Sequence, residues 1–201
     1  MIIVDGCKSE KAISNFANLE EVLLNVMQDE KMEDRVVTDV LVNDELFSEI
    51  YPHQAEDLSS SDIKSIEIHT IPASQMALDI SGEMHKVAQL MLSGSRNVAR
   101  LFREASDGDA LELLQDLLDV TRDFLNMVSD LRTRYLNGAN AEFAEKTQNL
   151  SDLISEMSDV LANEDWVLMA DLLEYELAPQ CEDWATVSDH LHKELMERFA
   201  Q

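Results

Sequence analysis

From Pro72 onward, apolar residues recur every three or four positions in four long stretches, the signature of amphipathic helices. In the first stretch Ala77, Ile80, Met84, Val87, Met91, Gly94, Val98, Leu101 and Ala105 alternate threes and fours without interruption. That spacing lays a narrow seam along a rod of roughly 50 Å, which only other helices can cover. The rod is expected to stop at Ser106-Asp107-Gly108. Asp109 with Glu112 predicts a capping box for the second helix, with a buried face of Leu113, Leu117, Val120, Phe124, Met127 and Leu131, and Asn137-Gly138 as its end. Phe143, Leu150, Leu153, Met157 and Val160 define a third helix. Asn163 ends it and caps a fourth that starts at Glu164 and Asp165, where negative charge suits a helix N-terminus. Short turns between four helices predict antiparallel neighbours.

The fourth stripe, Ala170, Leu173, Leu177, Cys181, Trp184, Leu191 and Leu195, runs across Pro179. An interior proline deletes the hydrogen bond to the residue four back, Tyr175, and crowds its carbonyl, at a cost of roughly 3 kcal/mol unless the site adjusts. A kink or short break near residues 177–179 is therefore expected, as one bent rod or as two helices in series.

The first seventy residues carry a different period. Residues 2–4 form a strand candidate ended by Asp5-Gly6, and Asn18 with Glu21 opens a helix buried through Leu19, Val22, Leu23, Val26 and Met27, ending near Lys31. Residues 36–42 alternate into Asn43-Asp44, a pair suited to a tight turn, with residues 46–51 as the returning strand. Ile63, Ile66 and Ile68 predict a last strand. Between Ile68 and Pro72 the period changes from two to about three and a half, and Pro72 suits the first turn of a helix. The expectation is an α+β chain: residues 1–70 a small β-sheet unit with one helix, residues 71–201 a mainly antiparallel bundle of about four long helices.

Composition narrows the function classes. Fifteen Lys and Arg against forty-one Asp and Glu leave 201 residues with a formal charge of -26, shared by both halves. Nucleic acid and anionic membrane surfaces are repelled; the excess can attract a basic partner, but a soluble helical surface is its commoner meaning. The two cysteines, Cys7 and Cys181, lie far apart with no basic or histidine-rich neighbours and read as reduced thiols. The start lacks a basic, then apolar, secretion signal, and no window approaches eighteen uninterrupted apolar residues, so a cytoplasmic location is expected.

Three arginines, Arg96, Arg100 and Arg103, share one face of the first rod. They can hold an acidic ligand, which makes Arg96 and Arg100 candidate binding residues. Pairing with Glu112, Asp116 and Asp119 of the second helix is the stronger reading. Carboxylate-bridged metal sites in bundles use Glu-x-x-His, which occurs nowhere here, and His190 and His192 project about 200° apart on a helix, so no metal is expected. No cofactor is expected either: the five histidines accompany no nucleophile motif, and there is no glycine-rich phosphate loop. Nine methionines follow Met1, and core filling outweighs a partner groove as their use.

Trp166-Val-Leu-Met-Ala-Asp-Leu-Leu-Glu-Tyr-Glu-Leu-Ala-Pro179, followed by Trp184, resembles a signature in a family of uncharacterised bacterial proteins that also place short strands before a helical region. The resemblance implies kinship and a bacterial cytoplasmic setting, with no reaction. From the residues themselves, Trp166 and Trp184 are candidate binding positions, and Glu174 and Tyr175 are expected to make polar contacts at the bend. The leading expectation is a non-catalytic adaptor or chaperone-like protein that presents an acidic helical groove to a basic or helical protein and self-associates. The alternative is an enzyme or small-molecule sensor with a pocket between the two units.

Overall fold

The computed structural model describes residues 1–48, 53–136 and 141–200, which divide into two compact units, Met1–Met76 and Ala77–Gln201. The fold is α+β, with a five-stranded sheet and a helix followed by long helices. Among the described residues no helix is long and apolar enough to cross a membrane.

In the first unit, β1 (Ile2–Val4), β2 (Cys7–Lys8), β3 (Arg35–Val42), β4 (Glu45–Leu46) and β5 (Ile66–Pro72) form one sheet in the order β2-β1-β5-β3-β4. Both hairpins turn on residues with positive φ, Asp5 (48°) with Gly6 (76°) and Asn43 (54°) with Asp44 (68°). Such paired left-handed conformations match the twist of the flanking strands. β1 runs parallel to β5, with Ile2 opposite Ile66 and Val4 opposite Ile68. One face buries Ile2, Val40, Val42, Ile66 and Ile68 against Leu19 and Val22 of α1 (Leu19–Met27), and α2 (Gln54–Asp57) adds Ala55. Asn18 Oδ1 accepts the Glu21 N–H at 3.0 Å, while the Glu21 carboxylate accepts from Ala17 N–H at 2.7 Å. The helix ends at Met27, earlier than the spacing predicted, and Met27 itself is exposed. Of the expected returning strand, Leu46 pairs with Leu41, and Glu49, Ile50 and Tyr51 lie outside the described residues. Pro72 closes β5 opposite Arg35 and does not enter the helix that follows.

The second unit is built from α3 (Ala73–Arg103) beyond its first turn, α4 (Asp107–Tyr135), α5 (Ala141–Ala162) and a final rod comprising α6 (Trp166–Asp171), a π-helical turn (Leu172–Leu177) and α7 (Ala178–Phe199). Along α3 and the final rod, contacts run in opposite chain directions, from Ser81 with His192 through Arg96 with Glu182 to Phe102 with Trp166. Two helix ends turn on a single left-handed residue, Ala105 (φ 59°) after α3 and Glu164 (φ 54°) after α5. In each, the next N–H bonds a carbonyl five residues back, Ser106 to Leu101 and Asp165 to Val160.

These turns correct the expected caps. The chain has already reversed at Ala105, so α4 starts at Asp107 and Asp109 lies inside its first turn, where no capping box can form. Asp165, not Asn163, caps α6, with Oδ1 accepting the Leu168 N–H at 3.0 Å. The expected closure at Asn137-Gly138 lies outside the described residues.

The seams of α5 and of the final rod bury the residues their spacing predicted. Those of α3 and α4 are rotated. α3 buries Ala77, Ser81, Met84, Ala88, Met91, Ser95, Val98 and Phe102, leaving Ile80, Val87 and Leu101 half-buried on its flank. α4 buries Ala110, Leu114, Leu117, Thr121, Phe124, Val128 and Leu131, while Leu113, Val120 and Met127 stand 38%, 43% and 42% exposed. Small Ser, Ala and Thr side chains occupy the inward positions, and their hydroxyls bond carbonyls, as Thr121 Oγ1 does to Leu117 at 2.7 Å. Of the methionines on helical stripes, Met84, Met91, Met157 and Met169 are core, whereas Met127 and Met196 are exposed.

Candidate functional site

The final rod has no break at Pro179. Its adjustment comes upstream, where residues 172–177 widen into a π-helical turn and Ala178 N–H bonds the Leu173 carbonyl, five residues back instead of four. Widening relieves the clash that a proline ring otherwise makes with the carbonyl four residues earlier. Ser95 of α3 donates its hydroxyl to the same Leu173 carbonyl at 2.5 Å, so a buried oxygen at the widened turn has two donors.

The turn divides its side chains between two surfaces. Toward α3, Glu174 and Asp171 both bind Arg103, Asp171 at 2.8 Å, and the guanidinium lies 5.7 Å from the centre of the Tyr175 ring. Glu174 and Tyr175 therefore meet on one cation, although Tyr175 remains 63% exposed. Trp166 stacks on Phe102 with ring centres 5.3 Å apart and planes 9° from parallel. Arg96 pairs with Glu182 at 2.9 Å, and Arg100 stays on its own helix with Glu104 and Asn97. The arginine stripe thus faces α6 and α7. Glu112, Asp116 and Asp119 of α4, its expected partners, do not pair with it. With two carboxylates on Arg103, the cluster carries net negative charge.

On the other side, Leu172 and Glu176 of the turn line a cleft of about 800 Å³ between the final rod and α5. Leu153, Leu172 and Trp184 form its floor, and Glu142, Glu145, Asp152, Glu156, Glu176 and Asp183 its walls. Lys146 is the one cation among its lining residues, and its Nζ is 3.1 Å from Asp183. Trp184 itself is buried, edge-on to Phe124 at 5.7 Å and to Phe143 at 5.8 Å. Trp184 and Glu174 are therefore on different surfaces, and the six sequence candidates do not form one site.

Other chemistry-bearing groups have structural occupations. Burial pushes the Cys181 thiol up to about 12, which leaves it protonated and unreactive. Asp5 accepts the Thr70 hydroxyl at 2.6 Å and its N–H at 2.8 Å, and Arg35 lies 3.0 Å away. The Thr70 hydrogen bonds, with the arginine's charge, hold the Asp5 carboxyl below its usual value despite partial desolvation. These bonds tie the first hairpin to β5 and β3. Arg132 is buried with Nε unpartnered, over the Phe143 ring at 5.3 Å and with Nη1 3.5 Å from Glu194. A second hollow, of about 610 Å³ in the first unit, mixes Lys8, Lys11, Lys31 and Arg35 with Asp5, Glu10 and Asp29. Among the described residues no three His, Cys, Asp or Glu side chains converge as a metal site.

Sequence reasoning missed Arg103 as the hub, although its spacing from Arg100 was in view. It also missed Ser95, whose hydroxyl looked like a neutral position on a helix, and the cleft, which depends on acids from separate helices. A domain of unknown function, DUF8043, matches residues 1–71, and a second, DUF8042, matches residues 79–187. No curated protein and no solved structure matches the chain. The second match covers more than half of the residues, and the chain belongs to the DUF8042 family.

Proposed function

We propose that the protein is a non-catalytic, chaperone-like adaptor of the bacterial cytoplasm whose acidic bundle receives a basic segment of another protein. The observation that carries this reading is the cleft between α5 and the final rod, with six carboxylates above Leu153, Leu172 and Trp184 and one lysine already neutralised by Asp183. Lys and Arg side chains suit such a cleft because their aliphatic stems lie along apolar surface while their heads reach carboxylates. The net charge of -26 steers basic partners toward it and disfavours acidic ones. Unpaired cysteines, one exposed and one buried, fit a reducing compartment.

The test is affinity capture from a native extract with the wild-type protein and with Glu145→Lys/Asp152→Lys, followed by identification of bound proteins. The expected result is a defined set of basic proteins that the variant loses and that elutes with moderate salt, as contacts between exposed charges screened over about 8 Å at physiological ionic strength require. An identical set on both baits overturns the reading.

A further inference from the structure

The three apolar residues that α4 leaves outside its core form part of a longer pattern. Asp109, Leu113, Asp116, Val120, Asp123, Met127 and Asp130 follow one another at steps of four and three, and every one is exposed. At that spacing they make a single line along the helix surface, about 32 Å from end to end. This is a second seam, displaced from the buried one, in which each aliphatic side chain is bracketed by carboxylates. Asp123 lies 3.4 Å from Arg122, whereas Asp109, Asp116 and Asp130 have no cationic partner among the described residues. None of these residues lines the cleft on α5.

We propose that this line is a docking face for a basic amphipathic helix that presents Lys or Arg and aliphatic residues alternately at the same three-four spacing. The pattern itself selects the occupant. Aliphatic knobs at Leu113, Val120 and Met127 require an apolar stripe opposite, and the intervening rows of Asp require cations. A second copy of α4 places Asp rows beside Asp rows, and like charges across a helix seam repel. A purely apolar helix would desolvate the carboxylates without compensation.

The probe is a synthetic 28-residue peptide (about four heptads), end-capped, with Lys and Leu alternating at three-four spacing and Ala and Gln elsewhere, titrated into the full chain by fluorescence anisotropy in low salt. Saturable binding is expected, weakened at least about tenfold by Val120→Asp and by Asp116→Lys/Asp130→Lys, since each tenfold step corresponds to a modest loss at one contact. The charge-reversed protein should instead take up the peptide in which Glu replaces Lys. The α4 substitutions are also made in the Glu145→Lys/Asp152→Lys background, where the adaptor cleft no longer competes for the peptide, and the same tenfold loss is expected there, which separates this face from the cleft. Circular dichroism of each variant confirms retained helix, as exposed positions allow. The proposal is overturned by absence of binding at low salt, by equal affinity across the α4 variants, or by a wild-type dimer in light scattering that Val120→Asp dissociates, since the face would then belong to a second copy.

Discussion

Ser95 Oγ donates to the Leu173 carbonyl oxygen at 2.5 Å across the interface between α3 and the final rod. That carbonyl also accepts the Ala178 N–H of the π-helical turn. The hydroxyl is a second donor to an oxygen that the turn's own backbone already serves, and it ties α3 to the widened turn.

Ser95→Ala is accordingly expected to lower stability by about 1 kcal/mol, the usual worth of one buried hydrogen bond whose acceptor keeps another donor. Ser95→Leu should cost more, because a large side chain would force α3 away from the rod. Urea unfolding monitored by circular dichroism gives both values, and an unchanged midpoint for Ser95→Ala would mean that the turn holds its geometry without the hydroxyl.

Arg103 should matter more than its neighbours. It joins Asp171, Glu174 and the Tyr175 ring, whereas Arg100 reaches only residues on its own helix. Arg103→Ala is expected to cost about 1 kcal/mol and Arg100→Ala less than about 0.5 kcal/mol. Arg103→Lys should recover only part of the loss, because a point charge cannot span two carboxylates and lie over a ring together. Equal losses for the two alanine variants would remove Arg103 from the centre of the cluster.

The Asp5 carboxyl is held below its ordinary value first by the Thr70 hydroxyl and then by its N–H and by Arg35. A carboxylate with a lowered folded value stabilises the fold above its unfolded value, and that contribution disappears as pH falls through the folded one. Asp5→Asn should therefore lower the melting temperature at pH 7, with the gap to wild type closing as pH drops below about 4. A gap that stays constant from pH 7 to pH 2 would show that shape, not charge, supplies the effect.

The two thiols should separate cleanly. Cys7 is exposed, while Cys181 is buried and pushed up to about 12. At pH 8 the folded protein is expected to give one rapidly titrating thiol with a disulfide reagent and a second only on adding denaturant. Two fast thiols in the native protein would mean that the α7 core opens readily, a result that hydrogen exchange around Trp184 would confirm.

The α+β organisation was legible because the hydrophobic period changes between Ile68 and Pro72, and the α5 seam was legible because Phe143, Leu150, Leu153, Met157 and Val160 are large and aligned. The α3 and α4 seams were misread for a physical reason. Hydrophobicity favours Ile80, Val87, Leu113 and Val120, whereas the helices bury Ser81, Ala88, Ser95, Ala110 and Thr121. These small residues satisfy their hydroxyls within the protein, as Ser95 and Thr121 do on carbonyls, and carry no apolar signal that spacing could pick out. The π-helical turn left no trace in the stripe, because Leu173 to Trp184 spans the same length as steps of four, three and four. The cleft left none, since it depends on which acids of α5, the turn and α7 come to face one another.

The widened turn acts as a slip joint in the helical count. Each π-helical residue turns the chain through a smaller angle than an α-helical one, so one surplus residue is taken up between Leu172 and Leu177 and the rod beyond keeps its phase. Trp184 against Phe124 and Phe143, Asp189 opposite His85 and His192 opposite Ser81 are thereby left where a shorter, regular helix would set them. Removing a single amino acid between Leu172 and Leu177 would yield a regular helix with the tryptophan still inside, at the cost of bringing the proline ring back against the carbonyl four residues before it.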